Sequence, residues 1–134
     1  MIVELETLLV DTLTASFSGT GVLVEAYPDN VDTYVLKGTS AVLVHYSGAD
    51  FTVPDGSEVV RQMMGPSFQI VIGSRNLRTH TGAYVIMDTI RSAVVGSESR
   101  NKQFFAVSEQ SLGRDNGVWW FVQTFAIQQR VKQA

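Results

Sequence analysis

From Val118 to Ile127 the chain reads Val-Trp-Trp-Phe-Val-Gln-Thr-Phe-Ala-Ile, a stretch with no polar side. Successive side chains of a strand point to opposite faces. One set is Val118, Trp120, Val122, Thr124 and Ala126; the other is Trp119, Phe121, Gln123, Phe125 and Ile127. Both are mostly apolar or aromatic, so both faces of this strand need cover. Ala41, Leu43 and His45 set against Val42, Val44 and Tyr46 repeat the situation. A sheet with one face in water alternates apolar with polar; these strands do not.

Asp115-Asn116-Gly117 precedes that stretch, and a β-rich run from Gln103 to Gly113 comes before it. Asn-Gly between two such runs predicts a hairpin whose second strand continues to Gln129. Upstream, Ile2, Leu5, Leu8, Leu9, Leu13 and Phe17 follow a helical face, predicting an amphipathic helix that ends at Ser18-Gly19-Thr20-Gly21. A short strand over residues 22–27 stops at Pro28. A short helix with Asp29 or Asn30 as cap closes at Gly38. Residues 41–46 form an interior strand that continues to Asp50 past a bulge at Gly48. Pro54-Asp55-Gly56 marks a turn, and Glu58 to Met63 is extended. Gly65-Pro66 is expected to interrupt it before Phe68 to Ile72, either the second half of that strand or a separate one. A second helix spans about Gly82 to Val95, with Tyr84, Ile86, Met87, Ile90 and Val94 on its apolar side, Thr79 or Thr81 as cap and Gly96 as stop. This order implies one α+β domain over residues 1–134: a mostly antiparallel sheet with two main helices on one face.

Catalytic chemistry has little to stand on. The chain has no cysteine, so disulfides and thiolate metal sites are excluded. His45 and His80 have neither metal-ligand spacing nor a nearby carboxylate to orient them. Gly19-Thr20-Gly21 lacks the Lys-Ser/Thr of a phosphate-binding loop and precedes a strand. Asp29 and Asp32 share a turn of the short helix, where acids complement the macrodipole or face a partner. Arg75 and Arg78 with His80 make a small basic connection, solvated or set against an acidic partner. No cofactor, metal or nucleic-acid module is expected. Residues 1–13 include Glu4 and Glu6 and no base, unlike a secretory leader. No stretch is long enough to span a bilayer.

Two helices cover one face of the sheet, and little chain remains for the other. Either the sheet curls over itself or another subunit covers it; we favour the subunit, because large exposed apolar patches are uncommon on monomers. Charge distribution agrees. Residues 1–60 hold nine acids and one base, for −8, and residues 61–134 hold nine bases and four acids, for +5. Acidic and basic regions on one chain either mix on folding or steer head-to-tail contact between copies. Trp119, Phe121 and Phe125 with Arg75, Arg78, Asp29 and Asp32 are the candidate interface residues.

The run Ala41-Val42-Leu43-Val44-His45-Tyr46-Ser47-Gly48-Ala49-Asp50-Phe51 has the form of an apolar run, Tyr, x, Gly, x, x, Phe. After it come Arg75-Asn76-Leu77-Arg78, a helix Gly82-Ala83-Tyr84-Val85-Ile86-Met87-Asp88-Thr89-Ile90-Arg91, and a closing strand Trp120-Phe121-Val122-Gln123-Thr124-Phe125. In these segments and their order the chain resembles the small tail proteins of Mu-like phages and prophages, a family similar to the tail terminators of long-tailed phages. Residues 52–64 depart from the pattern. The resemblance implies a homo-oligomer, a hexameric ring that caps the tail tube and presents a surface to the head connector. It further implies tail tube and head connector proteins as partners, and a virion location after assembly in the host cytoplasm. It carries no catalytic residues. Alternatives are another head–tail connector or baseplate-proximal component, and, from a different class, a small ligand-binding or hydrolytic domain of a mobile element.

Overall fold

The computed structural model describes residues 2–27, 36, 38–51, 63–80, 82–99 and 102–130. It has the expected α+β architecture, with helices α1 (Ile2–Ser16) and α2 (Ala83–Val94). The strands are β1 (Leu23–Ala26), β2 (Ser40–Phe51), β3 (Met63–Ser74), β4 (Glu98–Ser99), β5 (Lys102–Gln103), β6 (Phe105–Asp115), β7 (Val118–Ala126) and β8 (Gln129–Arg130). The main sheet has the order β1-β2-β3-β7-β6, with β8 beside the start of β3. Among the described residues only β1 and β2 pair in parallel; β2–β3, β3–β7 and β6–β7 are antiparallel. β4 and β5 form a separate small hairpin that the sequence reading had not anticipated. The short helix over 29–37, Asp29 and Asp32 within it, and the turn at 54–56 lie outside the described residues, Leu36 excepted.

Both helices cover the same face. Leu5, Leu9 and Leu13 of α1 and Ile86, Met87, Ile90 and Val94 of α2 pack on Val42, Val44, Phe68, Ile70, Ile72 and Phe125. The Leu5–Leu9–Leu13 spacing of four puts all three on one stripe of α1. Ala83, Ile86, Met87, Ile90 and Val94 make the buried stripe of α2. Tyr84, expected on that side, is 40% exposed.

Three local expectations are corrected. Gly65-Pro66 does not interrupt β3, which runs unbroken through both. The carbonyl of Pro66 accepts from the Ile127 N–H. Within a strand residue the N–H points to the same side as the carbonyl, so the donor that proline lacks faces the gap between β7 and β8. Second, the N-cap of α2 is Gly82, which makes no side-chain hydrogen bond, and not Thr79; Thr81 lies outside the described residues. Instead the Ala83 and Tyr84 N–H groups donate to the carbonyls of Asn76 and Leu77, at 2.9 and 3.0 Å. Third, the final strand breaks after Ala126 and resumes as β8. The hairpin itself is as expected: Asn116 (φ 53°) and Gly117 (φ 77°) are both left-handed, as a two-residue turn of this kind requires.

The second face of the sheet is partly sealed by the chain itself, against the expectation that a neighbour must cover it. Leu36 packs with Ala41 and Val118, while Leu43, Val71 and Val122 form an adjoining cluster beside Tyr27. Trp120 touches both clusters. Leu43 is 1% exposed and Val122 8%. Leu36 and Tyr27 thus supply cover that a count of helices omits.

Candidate functional site

The β2–β3–β7–β6 register brings four chain segments to one end of the sheet. Ser74 pairs with both Ser40 and Trp119, and Trp119 pairs with Arg114. Arg75 and Arg78 leave β3 there and lead into α2. Arg75 Nε donates to the Gly38 carbonyl at 3.1 Å, tying that connection to the start of β2. The buried hydroxyls of Ser40 and Ser74 are 2.8 Å apart beneath it.

Two arginine–aromatic pairs occupy this end. The Arg114 guanidinium carbon is 5.6 Å from the Trp119 ring centroid, and that of Arg78 is 5.5 Å from the Tyr84 ring. Tyr84 meets Phe121 edge to face, with centroids 6.2 Å apart. Phe121 and Trp119, two residues apart on β7, share a face. The sequence-named Arg78, Phe121 and Trp119 therefore fall in one neighbourhood, with Arg75 beside them. Phe125 does not join them: it is 1% exposed, under the helices.

Tyr84 and Arg114 were missed. Nothing in the periodicity of α2 separates Tyr84 from its buried neighbours, but Arg114 was within reach. An Asn116-Gly117 turn pairs Asp115 with Val118, which places Arg114 opposite Trp119.

Guanidinium groups stacked on rings keep their edge N–H donors for carboxylates, and desolvation by the ring strengthens such a contact. Among the described residues neither Arg78 nor Arg114 meets a carboxylate, whereas Arg91 bonds Asp88 and Glu109. The patch suits an acidic protein surface. The histidines stand apart from it: His45 is half-buried beside Tyr27 and within 3.2 Å of the Tyr46 carbonyl, and His80 is exposed. No group of three or more metal-binding side chains occurs among the described residues.

A second polar feature joins α2, β6 and β7. Gln123 is fully buried and donates from Nε2 to the Met87 carbonyl (3.2 Å) and to Glu109 Oε1 (2.8 Å). Glu109 also receives Arg91, so the sheet edge is bonded to the helix through one buried amide.

A family model described as Gp37 protein matches residues 10–133. The chain belongs to this family. Its members are phage-associated proteins. No curated protein matches the chain. As a member of the family, it matches through every element of the sheet and through α2, so the patch lies within the matched region. No helix among the described residues is long and apolar enough to cross a membrane.

Proposed function

We propose that this phage protein is a structural component of the tail, a tail terminator whose copies close into a ring, six by resemblance. The ring caps the tail tube and presents the surface to which the head connector joins. The observation that carries the reading is the near-complete match to a phage-associated family. The pattern of segments shared with tail terminators supports it, and so does a surface in which cations and aromatics stand together without a carboxylate partner among the described residues. In this role the protein acts by occupying the growing tube end, with no turnover and no cofactor. Its partners are further copies, the tube protein and the head connector, and its final location is the virion.

The test combines light scattering and negative-stain microscopy with a tube-growth assay using the cognate tube protein. Closed rings, and tubes whose lengthening stops on addition of the protein, are the expected result. Subunits that stay monomeric both in solution and at tube ends would sink the reading. Rings that leave tube growth unchanged would move the protein to another connector position.

A further inference from the structure

The arginine–aromatic patch has an opposite number across the sheet. Residues 2–27 carry Glu4, Glu6, Asp11 and Glu25 and no lysine or arginine. α1 lies over β1 and β2, and β1 ends the sheet on that side; β7 and β6, which carry Trp119 and Arg114, end it on the other. With Leu5, Leu9 and Leu13 turned inward, Glu4 and Asp11 stand two turns apart on the outward side of α1, next to Val3, which is 76% exposed. The four strand spacings from β1 to β6 amount to roughly 19 Å. A molecule therefore cannot bring its own α1 acids to its own Arg114.

We infer that Arg78, Tyr84, Trp119 and Arg114 form a docking surface for the outer side of α1 on a second copy of this chain. The inference rests on the ring-forming reading above and names the contact that builds the ring. The two surfaces differ in chemistry, and the α1 acids sit over the β1–β2 side of the sheet while Trp119 and Arg114 sit on its β7–β6 side. Their contact is therefore head-to-tail, and it repeats from copy to copy until the ring closes. The Arg78 and Arg114 guanidinium edges meet the Glu4 and Asp11 carboxylates, while Tyr84 and Val85, each 40% exposed, give Val3 an apolar seat. Same-surface pairing sets like charges together and is disfavoured.

A charge-reversal exchange on the full chain tests this. One variant carries Arg78→Glu and Arg114→Glu, making both surfaces acidic; the other carries Glu4→Arg and Asp11→Arg, making both basic. Each alone is expected to self-associate at least roughly tenfold more weakly than the wild type, by sedimentation velocity. An equimolar mixture is expected to restore assembly, since each variant then presents what the other lacks. Thermal melts by circular dichroism check folding. If a reversal unfolds the chain, Arg78→Gln with Arg114→Gln replaces it, with the same loss expected at low salt. A wild type that assembles while the variants assemble equally well, or while the mixture does not recover, overturns this contact and leaves the ring standing. A wild type that never assembles, in solution or on tubes, overturns both.

Discussion

The indole of Trp120 lies against the bare Cα of Gly73, its partner in the β3–β7 register. A Cβ at Gly73 would stand 2.5 Å from Cζ3 and 2.8 Å from Cη2 of that ring. The same indole joins the two apolar clusters of the second face. Gly73→Ala is therefore expected to cost about 1–3 kcal/mol through overpacking. Urea denaturation followed by tryptophan fluorescence reads both the loss and the changed surroundings of the indole. An unchanged midpoint would mean that the ring moves aside freely.

Gln123 provides a prediction with a pH dependence. Both of its amide donors are used, by Met87 and Glu109, and its Oε1 is buried without a partner among the described residues. Gln123→Glu places a second carboxylate against Glu109 in a site with little water. The cost is expected at about 3 kcal/mol or more near neutral pH. It should shrink as pH falls through the carboxylate range, because a single proton removes the repulsion and restores a donor. Melting temperatures of variant and wild type across that range decide it. A gap that does not narrow toward acid would rule out the like-charge account.

Gly82 has an ordinary negative φ, so its need for glycine comes from crowding alone. A Cβ there would meet the Leu77 backbone carbon and oxygen at 2.6 Å. Backbone cannot rotate away as a side chain can. Gly82→Ala is expected to cost about 1–3 kcal/mol and to speed amide exchange at Ala83 and Tyr84, whose donors depend on that loop. Exchange at wild-type rates would refute it.

Stability and assembly should separate between Phe125 and Arg78. Truncating the buried Phe125 to Ala is expected to cost about 3–5 kcal/mol. Arg78→Gln, on the surface, should cost under about 1 kcal/mol yet reduce self-association. Chemical denaturation and sedimentation on the same two variants measure both. A large stability loss at Arg78 would make its role internal.

These pairs also show what could be read from the chain. Apolar spacing in α1 and the Asn116-Gly117 turn are local signals, and both elements formed where they pointed. The two alternating sets of β7 were legible too, but not which of them the helices cover, because that depends on the crossing of α1 and α2 over the sheet. Phe125 was thus grouped with Trp119 and Phe121, although Phe125 is core and the other two are only partly buried. The cover of the second face comes from Leu36 and Tyr27, which flank β1 and β2, and helix periodicity is blind to it. Pro66 misled for a similar reason: whether a missing donor matters depends on what lies opposite, here the break before β8.

β6 is bonded to β7 on one side only among the described residues, and it exposes Phe105, Val107 and Leu112. Its register shifts twice, between Ala106 and Ser108 and between Ser111 and Gly113. Each irregularity twists the ribbon, so its outer amides do not form a straight row. The outer edge of β6 is therefore a poor template for a second strand to zip against backbone to backbone.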